Sequence, residues 1–439
     1  MIKLTLLFIF LITAIGINAQ TFNKQKLDSL FTLLSDNDKI MVGVSVFQEG
    51  IEIYQNSIGY ADMANNIKAN AGTKYRIGSI SKVFTSTIIM QLMEEGKLSL
   101  DTKLEKFFPE IPNAGEITIE HLLRHRSGLF NFTSREGHSE WSVKPHTRKE
   151  ILNCFIENGT VFEPGEKMEY SNTNFVLLSY IIEKIEGKDF SEALKARISG
   201  PCGLDNTYYG GKINTANNEA KSYRKMADWE LANETDMSIP TGAGGIVSTP
   251  TGLNQFLIYL FEGKLVSDGS LEKMKTMVDG YGLGLMAIPF YEKISYGHGG
   301  AIDAFGSSAS YFPEEKMAVA GIKNGGNYPL NDMMIGVLSI IFGKEYKLSE
   351  FTPPIEVSSE ELEKFEGLYS GPALPIKLNI FVEDGILKGQ GTGQPSFPME
   401  AYEKNKFRYE LAGAVFEFVP EEDKLILKQG GGTFELRKE

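Results

Sequence analysis

Residues 74–93 read KYRIGSISKVFTSTIIMQLM: a short strand-like approach, a glycine, and then a strongly apolar helical run. Within this stretch Ser79 and Lys82 form an S-x-x-K tetrad, and side chains three residues apart share one face of a helix. The Lys82 amine is therefore expected beside the Ser79 hydroxyl, at a helix N-terminus whose dipole favours developing oxyanion charge. A weak nucleophile beside an amine base is the minimum equipment for acyl transfer.

The tetrad alone is a weak signal, because Ser222/Lys225 and Ser270/Lys273 repeat it. Those two copies lie in polar, charged stretches. The run after Ser79 is apolar on several sides, and a helix of that kind is expected to be buried. The setting, and not the pattern itself, favours Ser79 as a nucleophile.

Length and composition indicate a globular protein of about two domains, with 439 residues, 42% hydrophobic and 23% charged. The net charge of -13 argues against nucleic acid or an anionic membrane surface as a partner. Cys154 and Cys202 are the two cysteines, so the chain is not a disulfide scaffold. An oxidising compartment would allow one bridge between them, but two separate thiols are favoured.

Residues 1–19 have the features of a secretory signal peptide. Lys3 precedes an apolar run from Leu4 to Ile17, and a small-residue cleavage site ends at Ala19. The expectation is secretion across the inner membrane to the periplasm or the exterior, with no stable membrane insertion after cleavage. An uncleaved N-terminal anchor is the alternative.

Changes in composition along the chain predict a first domain over 20–348, a linker over 349–358 and a second domain over 359–439. Helices are expected over 24–38, 120–126, 175–185 and 251–263, and strands over 41–47, 51–58, 280–286, 295–299, 306–312 and 317–323. Strands at both ends with helices between them indicate an α+β sandwich: an antiparallel sheet of five or more strands flanked by helices, plus a helical subdomain. The glycine-rich segment 241–245 is a candidate for a flexible wall.

The last 80 residues have a different pattern of apolar residues from the first domain. Pro353 and Pro354 suit a linker, and about eight short alternating runs separated by turn residues follow them. This pattern predicts a small antiparallel β-barrel or sandwich.

Three further motifs follow Ser79 in the chain: His121–Leu129, then Tyr170-Ser171-Asn172 just before a helix, then His298-Gly299-Gly300 at the end of a strand-like run. Taken alone, Tyr170 could be a core tyrosine, Asn172 a helix cap and His298 a satisfied strand histidine. Their order after the tetrad favours a shared site.

A metal site is not predicted. His121 and His125 have the i, i+4 spacing of a zinc pair, but no glutamate follows His121 as a metalloprotease requires. His125 and Ser127 are interpreted as structural residues that hold a turn.

Residues about 40–342 resemble the penicillin-recognising serine hydrolases, the peptidase S12-like group of class C β-lactamases, D-alanyl-D-alanine carboxypeptidases, D-aminopeptidases and related esterases. The C-terminal segment resembles the lipocalin-like barrel often appended to that group. The matching stretches are 75–85, 121–129, 170–175, 244–249, 298–300 and 323–324.

The resemblance implies that Ser79 forms an acyl-enzyme while Lys82 and Tyr170 share the proton transfers, with the identity of the general base left open. It implies that Asn172 orients Lys82 and binds a substrate amide. His298 and Gly300 would contribute to substrate binding. The backbone N–H groups of Ser79 and Ala301 would form the oxyanion hole, and no cofactor is required.

One departure bears on the substrate. Where β-lactamases of the group usually carry Lys-Thr-Gly, this chain has His298, Gly299 and Gly300. An imidazole is mostly neutral at pH 7, and glycine offers no hydroxyl to hold a substrate carboxylate. We therefore expect weak β-lactam hydrolysis and better turnover of small esters, D-amino acid amides or short peptides, including peptides derived from peptidoglycan.

Two alternatives stay open: a true class C-like β-lactamase, and a catalytically silent sensor or scaffold for peptidoglycan fragments. The sequence leaves the oligomeric state undetermined.

Overall fold

The computed structural model describes residues 22–226, 228–348, 351–352, 354–429 and 432–439. The predicted signal peptide lies outside the described residues, as do positions 349, 350 and 353 of the predicted linker. Across the described ranges, no helix is long and apolar enough to cross a membrane.

Helices and strands are numbered here in chain order. The helices are α1 (Lys24–Asp36), α2 (Ser81–Glu94), α3 (Ile119–Leu123), α4 (His138–Trp141), α5 (Arg148–Asn158), α6 (Asn172–Glu186), α7 (Phe190–Leu194), α8 (Thr241–Gly244), α9 (Pro250–Phe261), α10 (Asp268–Lys275), α11 (Leu330–Ile341) and α12 (Ser359–Leu362). The strands before the linker are β1 (Ile40–Gln48), β2 (Ile51–Ile58), β3 (Tyr60–Asp62), β4 (Ile67–Lys68), β5 (Tyr75–Arg76), β6 (Tyr208–Tyr209), β7 (Tyr223–Lys225), β8 (Trp229–Leu231), β9 (Ile246–Ser248), β10 (Met286–Phe290), β11 (Lys293–Ile302), β12 (Phe305–Phe312) and β13 (Met317–Gly326). Those after it are β14 (Gly367–Gly371), β15 (Leu374–Glu383), β16 (Ile386–Gly391), β17 (Phe397–Pro398), β18 (Glu400–Glu403), β19 (Lys406–Tyr409), β20 (Ala414–Val419), β21 (Lys424–Gln429) and β22 (Gly432–Lys438).

The central sheet has the order β10-β11-β12-β13-β1-β2, and every pair along this path is antiparallel. Helices α1 and α11 pack on one face, where Leu30 and Val337 belong to one apolar cluster. On the other face α2, α6 and α9 form a second cluster, in which the rings of Phe84 and Phe256 stack with centroids 3.6 Å apart. Both faces are covered, so β1 is buried along almost its whole length. The predicted α+β sandwich is confirmed.

Most predicted elements are found with shifted ends. The predicted strand 280–286 is wrong: Gly282 N donates to Leu285 O, and Gly284 has a φ of +77°. The strand β10 begins only at Met286. Tyr281, Leu283 and Leu285 alternate with Gly282 and Gly284 in a buried turn, and this alternation imitates the period of a strand. The glycine-rich segment 241–245 is mostly the short buried helix α8.

The C-terminal strands form one nine-stranded antiparallel sheet, ordered β17-β16-β15-β14-β22-β21-β20-β19-β18 and curled into a nearly closed barrel. Phe407, Phe416 and Leu425 fill its interior. Glu410 Oε1 accepts a hydrogen bond of 2.6 Å from Lys39 Nζ, which joins the barrel to the segment before β1. The small antiparallel barrel is confirmed, with nine strands instead of about eight. The division of the chain at 349–358 stays a prediction.

Candidate active site

Ser79 lies in a 3-10 turn, Gly78–Ile80, that directly precedes α2. Gly78 has a φ of +51°, which favours glycine. A Cβ added at Gly78 would lie 2.7 Å from Ala301 N. The turn therefore sits directly against β11, which gives Ser79 a fixed position at the inner end of a core helix.

Lys82 Nζ is surrounded by oxygen atoms. It lies 2.9 Å from Ser79 Oγ, 2.8 Å from Asn172 Oδ1 and 2.8 Å from Ala243 O. The side chain is fully buried, and within the described part of the chain no carboxylate lies within 4 Å of it. Burial without a counter-ion holds the pKa of Lys82 well below its ordinary value.

These contacts suit an uncharged amine. A neutral amine has two N–H donors and one lone pair, which match two carbonyl-type acceptors and one hydroxyl donor. The oxygens of Asn172 and Ala243 can only accept, whereas Ser79 Oγ–H can donate. Lys82 is therefore placed to receive the Ser79 proton.

Tyr170 approaches Ser79 from the segment before α6. Its hydroxyl hydrogen-bonds to the Ser79 side chain, and burial, as the larger effect, raises the pKa of Tyr170 above its ordinary value. Its ring packs against that of His125 with centroids 4.2 Å apart, and Lys82 Nζ lies 4.9 Å from the ring centroid. The phenol consequently keeps its proton at neutral pH.

Asn172 is the first residue of α6, after Ser171. Ser171, and not Asn172, occupies the cap position, and the Asn172 side chain contacts other segments. Oδ1 faces Lys82, while Nδ2 donates to Asn131 Oδ1 at 3.3 Å and Thr133 Oγ1 at 3.2 Å. This orientation fixes which atom of the amide faces the lysine.

His298 and Gly300 occupy β11 beside the turn. His298 is almost fully buried, and its Nε2 lies 2.9 Å from Tyr281 Oη. Burial, the largest cause, lowers the pKa of His298 to about 4. A Cβ added at Gly300 would lie 2.1 Å from Ile77 O and 3.0 Å from Ser79 N. Glycine at position 300 thus lets β11 lie against the turn, which brings the N–H groups of Ser79 and Ala301 together.

The His121–Leu129 stretch supports the tyrosine segment from behind. Ser171 N donates to His125 Nδ1 at 3.2 Å, and Ser127 Oγ donates to Asn174 Oδ1 at 2.6 Å. Both interactions connect the stretch to the start of α6 and leave the nucleophile untouched. This agrees with the structural interpretation of His125 and Ser127.

Sequence reasoning missed Asn131, Thr133 and Tyr281, which orient Asn172 and His298. Asn131 and Thr133 lie in a loop without periodicity, and Tyr281 lies in the segment mistaken for a strand. The sequence offered one signal for Asn131, which is a polar residue three positions after the Ser127-Gly128 turn. Their roles depend on contacts between distant segments.

The site opens into a cavity of about 350 Å³. Ser79, Asn172 and Ala301 are among the residues that line it. Phe132 and Ile239 add apolar surface to its wall. A small acyl group or amino acid side chain can therefore be held beside Ser79.

The profile of the family described as Beta-lactamase matches residues 28–333. The chain belongs to this family. It is 34% identical over 188 residues to penicillin-binding protein 4* of Bacillus subtilis, covering 42% of each protein. It is 26% identical over 239 residues to the teichoic acid D-alanine hydrolase of Staphylococcus aureus, covering 51% of this chain and 56% of that relative. The chain thus spans about half the length of these curated relatives.

Two solved structures are similar over more of their length. The D-amino acid amidase of Ochrobactrum anthropi, complexed with D-phenylalanine, aligns with a TM-score of 0.66 at 27% identity, covering 73% of this chain and 99% of the amidase. The octameric penicillin-binding protein homologue of Pyrococcus abyssi aligns with a TM-score of 0.67 at 27% identity, covering 94% of this chain and 99% of that one. These similarities support a serine hydrolase of the beta-lactamase and penicillin-binding protein family.

Proposed function

We propose that the protein is a secreted hydrolase of small amides, esters and D-amino acid peptides, acting through an acyl-enzyme on Ser79. The contact between Ser79 Oγ and Lys82 Nζ at 2.9 Å carries this proposal, because burial holds the pKa of Lys82 well below its ordinary value and so favours the uncharged amine that can act as a base. The signal peptide predicted over 1–19 supports an extracytoplasmic location.

In the first half-reaction Ser79 Oγ attacks the carbonyl carbon as its proton passes to Lys82 Nζ. The N–H groups of Ser79 and Ala301 donate to the oxyanion, which is worth about 3–4 kcal/mol of transition-state stabilisation. Tyr170 Oη gives its proton to the leaving group and recovers one from Lys82. The bond to the leaving group breaks, and the acyl group remains on Ser79.

In the second half-reaction water replaces the leaving group. Lys82 Nζ accepts the proton of the attacking water and the ester bond to Ser79 breaks. Tyr170 Oη gives its proton to the departing Ser79 Oγ and recovers one from Lys82. Asn172 stays hydrogen-bonded to Lys82 and presents its amide at the cavity, where it can bind a substrate amide. No cofactor enters either half-reaction.

The D-amino acid preference is supported by similarity to a D-amino acid amidase and a D-alanine hydrolase. Weak β-lactam hydrolysis follows from the neutral His298 and the missing hydroxyl at Gly299, because neither can hold the carboxylate of a penicillin. Peptidoglycan-derived peptides are a natural source of such D-amino acid substrates.

Fluorophosphonate labelling read by intact mass tests the nucleophile. The wild type and Ser270→Ala, whose serine belongs to a second S-x-x-K tetrad on α10, should gain one adduct. Ser79→Ala should gain none. Labelling of Ser79→Ala at the wild-type rate would rule out Ser79.

A substrate panel then tests the class: p-nitrophenyl acetate, the p-nitroanilides of D- and L-alanine, diacetyl-Lys-D-Ala-D-Ala and nitrocefin. We expect D-alanine p-nitroanilide or the ester to be hydrolysed faster than nitrocefin. Nitrocefin turnover faster than every other substrate would identify a β-lactamase instead. Labelling without turnover of any substrate would favour a sensor.

A further inference from the structure

Resting on the proposed function, we propose that Arg224 makes the active-site cavity select substrates with a carboxylate remote from the scissile bond over substrates with a free ammonium group. Arg224 lies on β7, in a short hairpin with β8, and lines the cavity together with Ala301 and Ile302 at the end of the strand that carries His298.

The argument begins with the charges around the cavity. Among the described residues that line it, Arg224 and Asp303 are the two with a formal charge at neutral pH. The third titratable residue of the lining, His138, is half-buried, and burial lowers its pKa. The imidazole therefore adds no charge at neutral pH.

The charge of Asp303 is already compensated. Its side chain is 1% exposed, and Oδ2 accepts a hydrogen bond of 2.8 Å from Arg76 Nη1. The other oxygen accepts from Thr235 N at 2.8 Å. A substrate ammonium would have to displace a buried guanidinium to use this carboxylate, which is costly because one charge would be left unpaired.

Arg224, in contrast, is exposed and has no side-chain partner among the described residues. No carboxylate of the described ranges lies within 4 Å of its guanidinium. Glu230 is its cross-strand neighbour in the hairpin and also exposed, but the two do not form an ion pair. The neighbouring Lys225 is paired with Asp38 at 2.8 Å. Arg224 can therefore bind an anion without first losing a partner.

The segment His298–Gly300 of β11 offers no competing cation. His298 is neutral and held by Tyr281, and Gly299 has no hydroxyl. A substrate carboxylate would then be bound by Arg224, because the planar guanidinium can donate two hydrogen bonds to a carboxylate. Within the described lining, no free carboxylate is left to attract an ammonium. The electrostatics thus favour the carboxylate-bearing members of the proposed substrate class.

Three p-nitroanilides with the same scissile bond test this: N-succinyl-D-alanine, N-acetyl-D-alanine and D-alanine p-nitroanilide carry charges of -1, 0 and +1. N-acetyl-D-Ala-D-Ala and its C-terminal amide test a carboxylate on the leaving-group side. On at least one side the wild type should show a kcat/KM roughly three- to tenfold higher for the anion than for its neutral analogue, the scale of a solvent-exposed charge pair.

Arg224→Gln should abolish this preference and Arg224→Glu should reverse it, while Lys225→Gln, the adjacent paired cation, should leave it unchanged. The preference should also decrease in 0.5 M salt. No preference on either side in the wild type, or a preference that survives in Arg224→Gln, would overturn the proposal.

Binding to Ser79→Ala separates this proposal from the proposed function. N-succinyl-D-alanine amide and N-acetyl-D-alanine amide, titrated calorimetrically, require no turnover and probe the acyl side. N-acetyl-D-Ala-D-Ala and its C-terminal amide probe the leaving-group side in the same way. Tighter binding of the anion on either side, lost in Ser79→Ala/Arg224→Gln, would support Arg224 even if the protein proved inactive. Equal binding on both sides would refute it even if Ser79 proved to be the nucleophile.

Discussion

Asn172→Asp is the sharpest test of an uncharged Lys82. The substitution is nearly isosteric and places a carboxylate oxygen where Asn172 Oδ1 now lies, 2.8 Å from Lys82 Nζ. Two unit charges at that distance attract by about 6 kcal/mol at an effective dielectric constant of 20. The carboxylate must itself be desolvated, so the net effect is smaller.

An opposite charge this close shifts a pKa by roughly one to three units. Lys82 should then be an ammonium at neutral pH. The acid limb of the pH profile of kcat/KM should move roughly two pH units to higher pH, which is about a 100-fold loss at pH 7 with recovery in alkali. Stopped-flow acylation by a p-nitrophenyl ester from pH 5 to 10 measures this limb.

Asn131→Asp is the matched control. Asn131 contacts the Asn172 amide, so the same charge is introduced one side chain further from Lys82. The acid limb of the pH profile of Asn131→Asp should therefore shift by clearly less than that of Asn172→Asp. If Asn172→Asp folds, as judged by thermal melting, and its limb moves by less than about half a unit, Lys82 does not titrate as the base.

Three further changes probe other parts of the site. Tyr170→Phe should keep acylation by p-nitrophenyl esters within roughly tenfold but lose at least 100-fold on p-nitroanilides, because nitrophenolate leaves without a proton; equal losses in stopped-flow assays would contradict this. Gly300→Ala should abolish activity and lower the melting temperature, since its Cβ would lie 2.1 Å from Ile77 O; wild-type kinetics would show that β11 does not rest on the turn. Burial lowers the pKa of His298 to about 4, so its neutral imidazole should contribute its full stabilisation above pH 6.5, and the free energy of unfolding should fall by about 3 kcal/mol as the pH decreases to 4. Urea melts should show a smaller decrease of the free energy of unfolding for His298→Asn over this interval.

The sequence allowed the fold to be predicted wherever one local pattern decided one element. The apolar run after Ser79 predicted a buried helix, and the alternation in β1 and β2 predicted a hairpin. The start of α6 was placed three residues late, at Phe175, because Asn172-Thr173-Asn174 are weak helix formers. Asn131 compensates by accepting from Asn172 N at 3.0 Å, and that contact spans 41 residues.

The site was predictable in its members but not in its electrostatics. Ser79, Lys82, Tyr170 and Asn172 could be identified by their order and by the resemblance. The sequence left open which group accepts the proton, because the answer depends on what surrounds Lys82. The burial of Lys82 and its contact with the carbonyl oxygen of Ala243 support Lys82 as the proposed acceptor, and a backbone atom cannot be recognised in a sequence motif.

The ion pair between Arg76 and Asp303 connects the two electrostatic features of the site. Asp303 follows β11, the strand that carries Ala301, so an unpaired carboxylate there would lie on the wall of the cavity. Its negative charge would raise the pKa of Lys82 and would repel the anions that Arg224 is proposed to bind. Arg76 lies three residues before Ser79, and its side chain is 2% exposed in the pair. The segment that leads to the nucleophile therefore also neutralises a carboxylate of the cavity lining, which leaves Arg224 as the free charge of the described cavity wall.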